Sequence, residues 1–170
     1  HIKNINLMID TPDMFSIDVS IKKNTDSKKL TQNDIQSLLQ EAKNIIQNNY
    51  FDKKIVHMIV KNFFFDDKIH FQIPENEINC KSLTLELKFI CFSNKVWQSL
   101  LNLFNSNFIN IDNIYCSSYV RAANCNEVFD NYKKKIILDI GYSRSTVSIF
   151  DENRILYYNM LPVGGKHITK

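Results

Sequence analysis

Only three glycines occur in the chain, Gly141, Gly164 and Gly165, and all lie near its C-terminal end. A chain this poor in glycine is not a collagen-like, elastic or glycine-linker polymer. It must make most of its turns from residues that carry side chains. Glycines gathered in one stretch of such a chain mark backbone positions that cannot tolerate a side chain. The residues around them are the first place to look for a site.

The rest of the composition is that of an ordinary globular protein. Hydrophobic residues make up 44% and charged residues 23% of the 170, enough to bury a core in one domain or two small ones. The net charge is +3, and the only basic triple is Lys133, Lys134 and Lys135, which reads as a solvated strand entry. No basic stripe interleaved with aromatics is present, so nucleic acid is not an expected partner. No apolar run approaches the roughly 18–20 residues that span a bilayer, and no signal-peptide pattern opens the chain. It begins at His1 rather than Met, as a segment of a longer protein would. Cys80, Cys91, Cys116 and Cys125 form no CxxC pair, and the four histidines are scattered. Buried thiols in a reducing compartment are expected rather than a zinc site.

Hydrophobic periodicity lays out the elements. Alternation at Phe15, Ile17, Val19 and Ile21 predicts a strand, with a weaker one at Ile5, Leu7 and Ile9. After a polar break at 24–27, Thr31 reads as the N-cap of a helix over 32–48, with Asp34 in its first turn. Residues 55–65 predict a strand, Asp66 to Lys68 a turn, and Ile69, Phe71 and Ile73 a return. The stretch from Pro74 to Lys81 reads as irregular. Leu83 to Cys91 alternate in the longest strand signal, and Ser93 caps a helix carrying Val96, Trp97, Leu100, Leu101 and Phe104. A short strand at 109–114 and a short helix at 117–123 follow. Residues 136–141, 147–150 and 155–161 predict three strands, and Lys166 a helix start. His57 reads as a core histidine and the Trp97 stripe as core. Phe63, Phe64 and Phe65 read as core packing or, because they are consecutive, as a partner contact on one side.

Asp139-Ile140-Gly141-Tyr142-Ser143-Arg144-Ser145 is a strand, a turn and the start of a second strand. Backbone N–H groups of such a turn, with the hydroxyls of Ser143, Ser145 and Thr146, make a nest for a phosphate, and the Asp139 carboxylate can hold hydrated Mg²⁺ in its outer shell. A solvated hairpin turn is the plainer reading of the same residues, and the motif by itself leaves both open.

The wider pattern resembles the actin-like ATPase superfamily, and in particular the FtsA family of bacterial cell-division proteins. Leu138-Asp139-Ile140-Gly141, then Ser145, Val147, Ile149 and Phe150, then Leu161-Pro162-Val163-Gly164-Gly165-Lys166-His167-Ile168-Thr169 look like its second phosphate loop and following strands. Thr31 to Ile35, Val56 to Ile59, Leu83 to Phe92 and Ser117-Ser118-Tyr119 resemble its preceding elements in order. The resemblance implies an α+β, ribonuclease H-like fragment carrying an inserted strand-helix-strand-strand (SHS2) subdomain. Residues 1–92 would be that interaction subdomain, 93–132 the return into the first lobe, and 133–170 the start of the second lobe.

It further implies ATP and Mg²⁺ in the parent protein, with Asp139, Gly141, Ser143, Arg144, Ser145, Thr146, Gly164 and Gly165 toward nucleotide and Asp139 toward the metal. Self-association, with Phe63, Phe64 and Phe65 as contacts, is implied as well. So are the FtsZ ring and later division proteins as partners, on the cytoplasmic face of the inner membrane at the division site. The family's C-terminal membrane-targeting helix has no counterpart here. Tyr142, Ser143 and Arg144 stand where the family has small residues, which implies weak ATP hydrolysis at most. Arg144 either donates to a phosphate or points to solvent. A PilM-like actin-fold scaffold of type IV pilus assembly is the alternative. A superfamily enzyme such as a sugar kinase is a third reading, against which the inserted subdomain speaks.

Overall fold

The computed structural model describes residues 3–25, 29–73 and 79–167. Part of the expected polar break at 24–27, part of the stretch from Pro74, and Ile168 and Thr169 lie outside the described residues. The elements run β1 (Asn4–Ile9), β2 (Phe15–Asn24), α1 (Gln32–Asn49), β3 (Lys53–Phe65), β4 (Lys68–His70), β5 (Ser82–Ser93), α2 (Asn94–Asn105), β6 (Asn110–Cys116), α3 (Ser117–Val128), β7 (Lys134–Ile140), β8 (Ser145–Asp151) and β9 (Arg154–Leu161), then a 3-10 turn at Gly165–His167. The fold is mixed α+β. Its strands form sheets ordered β1-β6, β2-β5-β3-β4 and β7-β8-β9.

The described residues divide into two compact units. One holds the chain up to Ser16, Asp52–His57, and everything from Ile90 onward; the other holds Ile17–Phe51 and Met58–Phe89. Residues 1–92 are thus shared between them, because β1 pairs with β6.

In the second of these units, α1 starts where a reciprocal capping box forms. The Asp34 N–H donates to Thr31 Oγ1 at 3.3 Å, and the Thr31 N–H donates to Asp34 Oδ2 at 3.0 Å. Hydrogen bonds from Thr31 and then from Lys23 hold the Asp34 carboxyl well below the usual carboxylate range. Ile35, Leu38, Ala42 and Ile46 fall on one stripe of the helix and are buried. They share the core with Leu83, Leu85, Leu87 and Phe89. Asp66 and Asp67 take positive φ values of 50° and 65°, the two left-handed positions of a tight hairpin turn. Asp66 also accepts from the N–H groups of Lys81 and Ser82 at 2.7 and 3.0 Å, so the pair builds a turn and not an acid/base site. The expected return strand is shorter than its apolar residues suggest, since Phe71 and Ile73 lie beyond β4.

The aromatic triple is divided by the pleat. Phe63 and Phe65 are buried and stack with ring centroids 6.3 Å apart, while Phe64 is half-buried on the other side. The expectation of a three-residue partner contact is corrected accordingly: two of the three rings belong to the core. Lys88, only 3% exposed, reaches Asp18 at 2.9 Å. Burial raises the Asp18 pKa, but the hydrogen bond and charge of Lys88, with Lys61, outweigh it and leave the carboxyl below its ordinary value.

In the first unit, β1 and β6 run parallel, with asparagine pairs along the ladder: Asn113 Nδ2 donates to Asn6 Oδ1 at 2.9 Å and Asn110 Nδ2 to Asn4 Oδ1 at 3.3 Å. β7, β8 and β9 form an antiparallel meander, and α3 packs on β6, β7 and β8. One face of the meander buries Ser148, Phe150, Ile155 and Tyr158. The opposite face leaves Ile136, Leu138 and Ile140 of the edge strand β7 each more than half exposed. No residue of α2 is fully buried, so the Trp97 stripe is a half-covered face rather than the core expected for it; Lys54 Nζ lies 5.2 Å from the Trp97 ring centroid.

Candidate functional site

The glycine-bearing stretch folds back on itself. The β7–β8 hairpin closes through Gly141 to Arg144, with the Gly141 N–H donating to the Arg144 carbonyl at 2.8 Å. Gly164 lies directly against this turn. A Cβ there would sit 2.5 Å from the Gly141 oxygen and 2.7 Å from both the Arg144 nitrogen and the Tyr142 oxygen, closer than any side chain permits. The N–H groups of Gly165 and Lys166 then cap the Gly141 and Tyr142 carbonyls, each at 2.9 Å. Ser145 Oγ donates to the Val163 carbonyl at 2.7 Å. Gly141, Ser145, Gly164 and Gly165 are therefore brought together, joined by backbone packing and mutual hydrogen bonds.

Arg144 neither points to solvent nor stands ready for a phosphate. Its guanidinium donates to the Thr11 carbonyl, to the Met14 carbonyl at 2.6 Å, and touches Met160 Sδ at 3.5 Å. It ties the hairpin to the loop after β1, which corrects both roles expected for it.

Asp139 stands at the end of β7 and faces residues that the sequence motif did not contain. Arg121, one turn into α3, donates to Asp139 Oδ2 through Nη2 at 2.6 Å and Nε at 3.0 Å. The same Nη2 lies 3.4 Å from Asp10 Oδ2 at the end of β1, and Nη1 donates to Ser117 Oγ at 2.6 Å. Asp10 also caps α3 across the fold, accepting the Ser118 N–H at 3.1 Å and the Ser118 hydroxyl at 3.1 Å. Because the carboxylate only accepts, Ser118 Oγ in turn accepts from the Tyr158 hydroxyl at 2.8 Å. Burial pushes the Tyr158 hydroxyl far up, so it keeps the proton it donates. Burial likewise raises the Cys116 thiol, which lies 3.2 Å from that hydroxyl.

Asp10, Ser118, Arg121 and Asp139 line a cleft of about 190 Å³ together with Ser143 and Thr146. Thr146 Oγ1 is buried and has no hydrogen-bond partner among the described residues. His57 is half-buried rather than in the core: its Nε2 accepts the Cys116 N–H at 2.9 Å and its ring packs on Tyr119, with centroids 4.8 Å apart.

Asp10, Ser118, Arg121 and Tyr158 were not singled out from the sequence. Asp10 directly follows the alternating apolar strand β1, much as Asp139 follows the apolar run Ile136 to Leu138. Arg121 stands four residues after Ser117, on the same face of α3.

No family model matches the chain, and no curated protein matches it in sequence. Among solved structures it is similar to a chain of a PilM–PilN type IV pilus biogenesis complex, with a TM-score of 0.65 and 8% sequence identity. The match covers 98% of this chain and 45% of that one, so the chain spans less than half of that relative's length. At this identity the likeness shows a shared fold and nothing beyond it. Nothing in these comparisons singles out the FtsA family, and the inserted subdomain of that reading gains no separate support.

The donor set fits a magnesium-bound triphosphate poorly. The cleft is smaller than the roughly 300–1,000 Å³ usual for small-molecule sites. Asp139 is already paired with a guanidinium, and Arg144 spends its charge on two carbonyls. The turn's Gly141 N–H is spent on the Arg144 carbonyl, and the N–H groups of Gly165 and Lys166 are spent on the Gly141 and Tyr142 carbonyls.

Proposed function

We propose that this chain is part of an actin-fold scaffold that assembles protein partners, in the manner of PilM in type IV pilus biogenesis, and that this segment does not itself hydrolyse nucleotide. The likeness to the PilM–PilN complex along 98% of the chain carries the reading. The paired Asp139, the anchored Arg144 and the plugged hairpin turn support the second half of it. On this reading the partner is a pilus-assembly protein of the PilN kind, and the protein works at the cytoplasmic face of a bacterial inner membrane.

The FtsA reading, with FtsZ as partner and with ATP and Mg²⁺ in the intact protein, is the second proposal. It rests on the sequence resemblance of the Gly164-Gly165-Lys166-His167-Ile168-Thr169 stretch. Titration of the intact protein against the cytoplasmic peptide of a PilN-type protein and against FtsZ separates the two. Saturable binding of the first alone is the expected result, and binding of FtsZ alone would replace the pilus reading. Binding of neither, together with brisk ATP turnover, would overturn the scaffold.

A further inference from the structure

We infer that Arg121 takes the place of a divalent cation in the cleft, bridging Asp10 and Asp139 so that the site closes without metal or nucleotide. This concerns the cleft alone and does not depend on which partner the scaffold serves.

Asp10 and Asp139 end strands of two different sheets and meet across the same guanidinium, at 3.4 and 2.6 Å. An arginine there is charged at every accessible pH and presents several N–H groups in a fixed plane. Four contacts use that plane: two to Asp139, one to Asp10 and one to Ser117. Charge-assisted hydrogen bonds of this kind are among the stronger ones available to a side chain. They leave Arg121 little capacity to receive an anionic ligand.

The charge count argues the same way. Two carboxylates and one guanidinium line the Asp10–Asp139 side, while the Arg144 charge is directed at the Thr11 and Met14 carbonyls. A polyphosphate entering alone would meet residual negative charge, and Mg²⁺, which holds its waters tightly and binds through one or two carboxylates, would compete with the guanidinium for both. Removing the guanidinium leaves the Asp10 and Asp139 carboxylates and the Ser118 hydroxyl lining the cleft, an all-oxygen set suited to a hard cation.

The test uses the full chain, its Arg121→Ala and Arg121→Gln variants, and the Arg121→Gln/Asp139→Asn double variant. Mn²⁺ binding is read by electron paramagnetic resonance, and Tm is measured with Mg²⁺, Mg²⁺–ATP or EDTA. The wild-type Tm is expected to stay put under all three. Each single variant is expected to bind Mn²⁺ at least about tenfold more tightly than wild type and to lose that gain in the double variant. Should Arg121→Ala fail to fold, Arg121→Gln, which keeps a polar side chain of similar reach, carries the comparison. Stabilisation of the wild type by Mg²⁺–ATP would overturn the inference, as would single variants that bind Mn²⁺ no better than wild type.

Discussion

At the scale of single residues, the glycines divide by what surrounds them. Gly164 has no room for a Cβ, whereas a Cβ on Gly165 would meet its nearest atom, the Gly141 oxygen, at 3.8 Å, an ordinary contact. Gly164→Ala must push the hairpin turn aside and should cost about 1–3 kcal/mol, as overpacking does. Gly165→Ala should stay within about 0.5 kcal/mol of wild type. Urea denaturation of the two variants checks the difference, and equal losses would mean that Gly164 is not the plug. His57 gives a second test at this scale. Burial holds its pKa down to about 4 from an ordinary 6.5. Between those values the unfolded ring takes up a proton and the folded ring does not, so its contribution is full above 6.5 and is lost as pH falls toward 4. Allowing for the ring's partial exposure, that is about 1–2 kcal/mol. His57→Gln keeps an acceptor for the Cys116 N–H without titrating. Its Tm should therefore fall less than the wild-type Tm between pH 7 and pH 4.5, a window set by the values above. That glycine clustering marks a tightly packed turn was legible in the sequence. The partners of Arg144 were not, because both are main-chain carbonyls more than a hundred residues away in sequence.

At the scale of elements, legibility follows how apolar the buried stripe is. α1 and β5 were readable because most of their core positions are Ile, Leu or Phe, and the structure extends each end by at most two residues. The sequence pattern ends α3 at 123, but the helix runs to Val128. Its buried positions are Ser118, Ala122 and Asn126, a true i, i+4, i+8 stripe with little hydrophobicity to reveal it. Its cap was hidden for a related reason. Cys116 at the N-cap makes no side-chain capping bond, and Asp10 supplies the acceptor from β1 instead. Asp10→Ala should therefore lower stability by about 1–2 kcal/mol through the lost cap. Asp10→Asn, which retains an acceptor for the Ser118 N–H, should recover part of that. Thermal unfolding followed by circular dichroism at 222 nm separates the cases. Identical losses for both variants would mean that the charge facing Arg121 matters and the cap does not.

At the scale of the whole molecule, the order of strands and helices was legible in the sequence but the partner was not, since turns and strand ends are local while partner choice is a property of surfaces. An uncovered apolar surface lies on the β7-β8-β9 meander. Ile136, Leu138 and Ile140 alternate outward on β7, and the register sets Ile136 beside Ile149, Ile149 beside Tyr157, and Leu138 beside Val147. Their side chains share one face, because residues paired across an antiparallel ladder point the same way. Contiguous apolar surface of this kind drives association in water, and an edge strand adds unpaired backbone groups to it. The chain on its own should bind the hydrophobic dye ANS and self-associate as concentration rises, through this face and not through Phe63 and Phe65, which are buried. Leu138→Lys places a charge at the centre of the patch without touching the buried face. It should reduce dye fluorescence and the sedimentation-derived self-association together, with stability changed by no more than about 0.5 kcal/mol. A Phe64→Asp variant, altering the half-buried member of the aromatic triple, should leave self-association intact. The opposite pattern, loss of association with Phe64→Asp and none with Leu138→Lys, would move the contact to the sheet that carries β3 and restore the aromatic run as the joining surface.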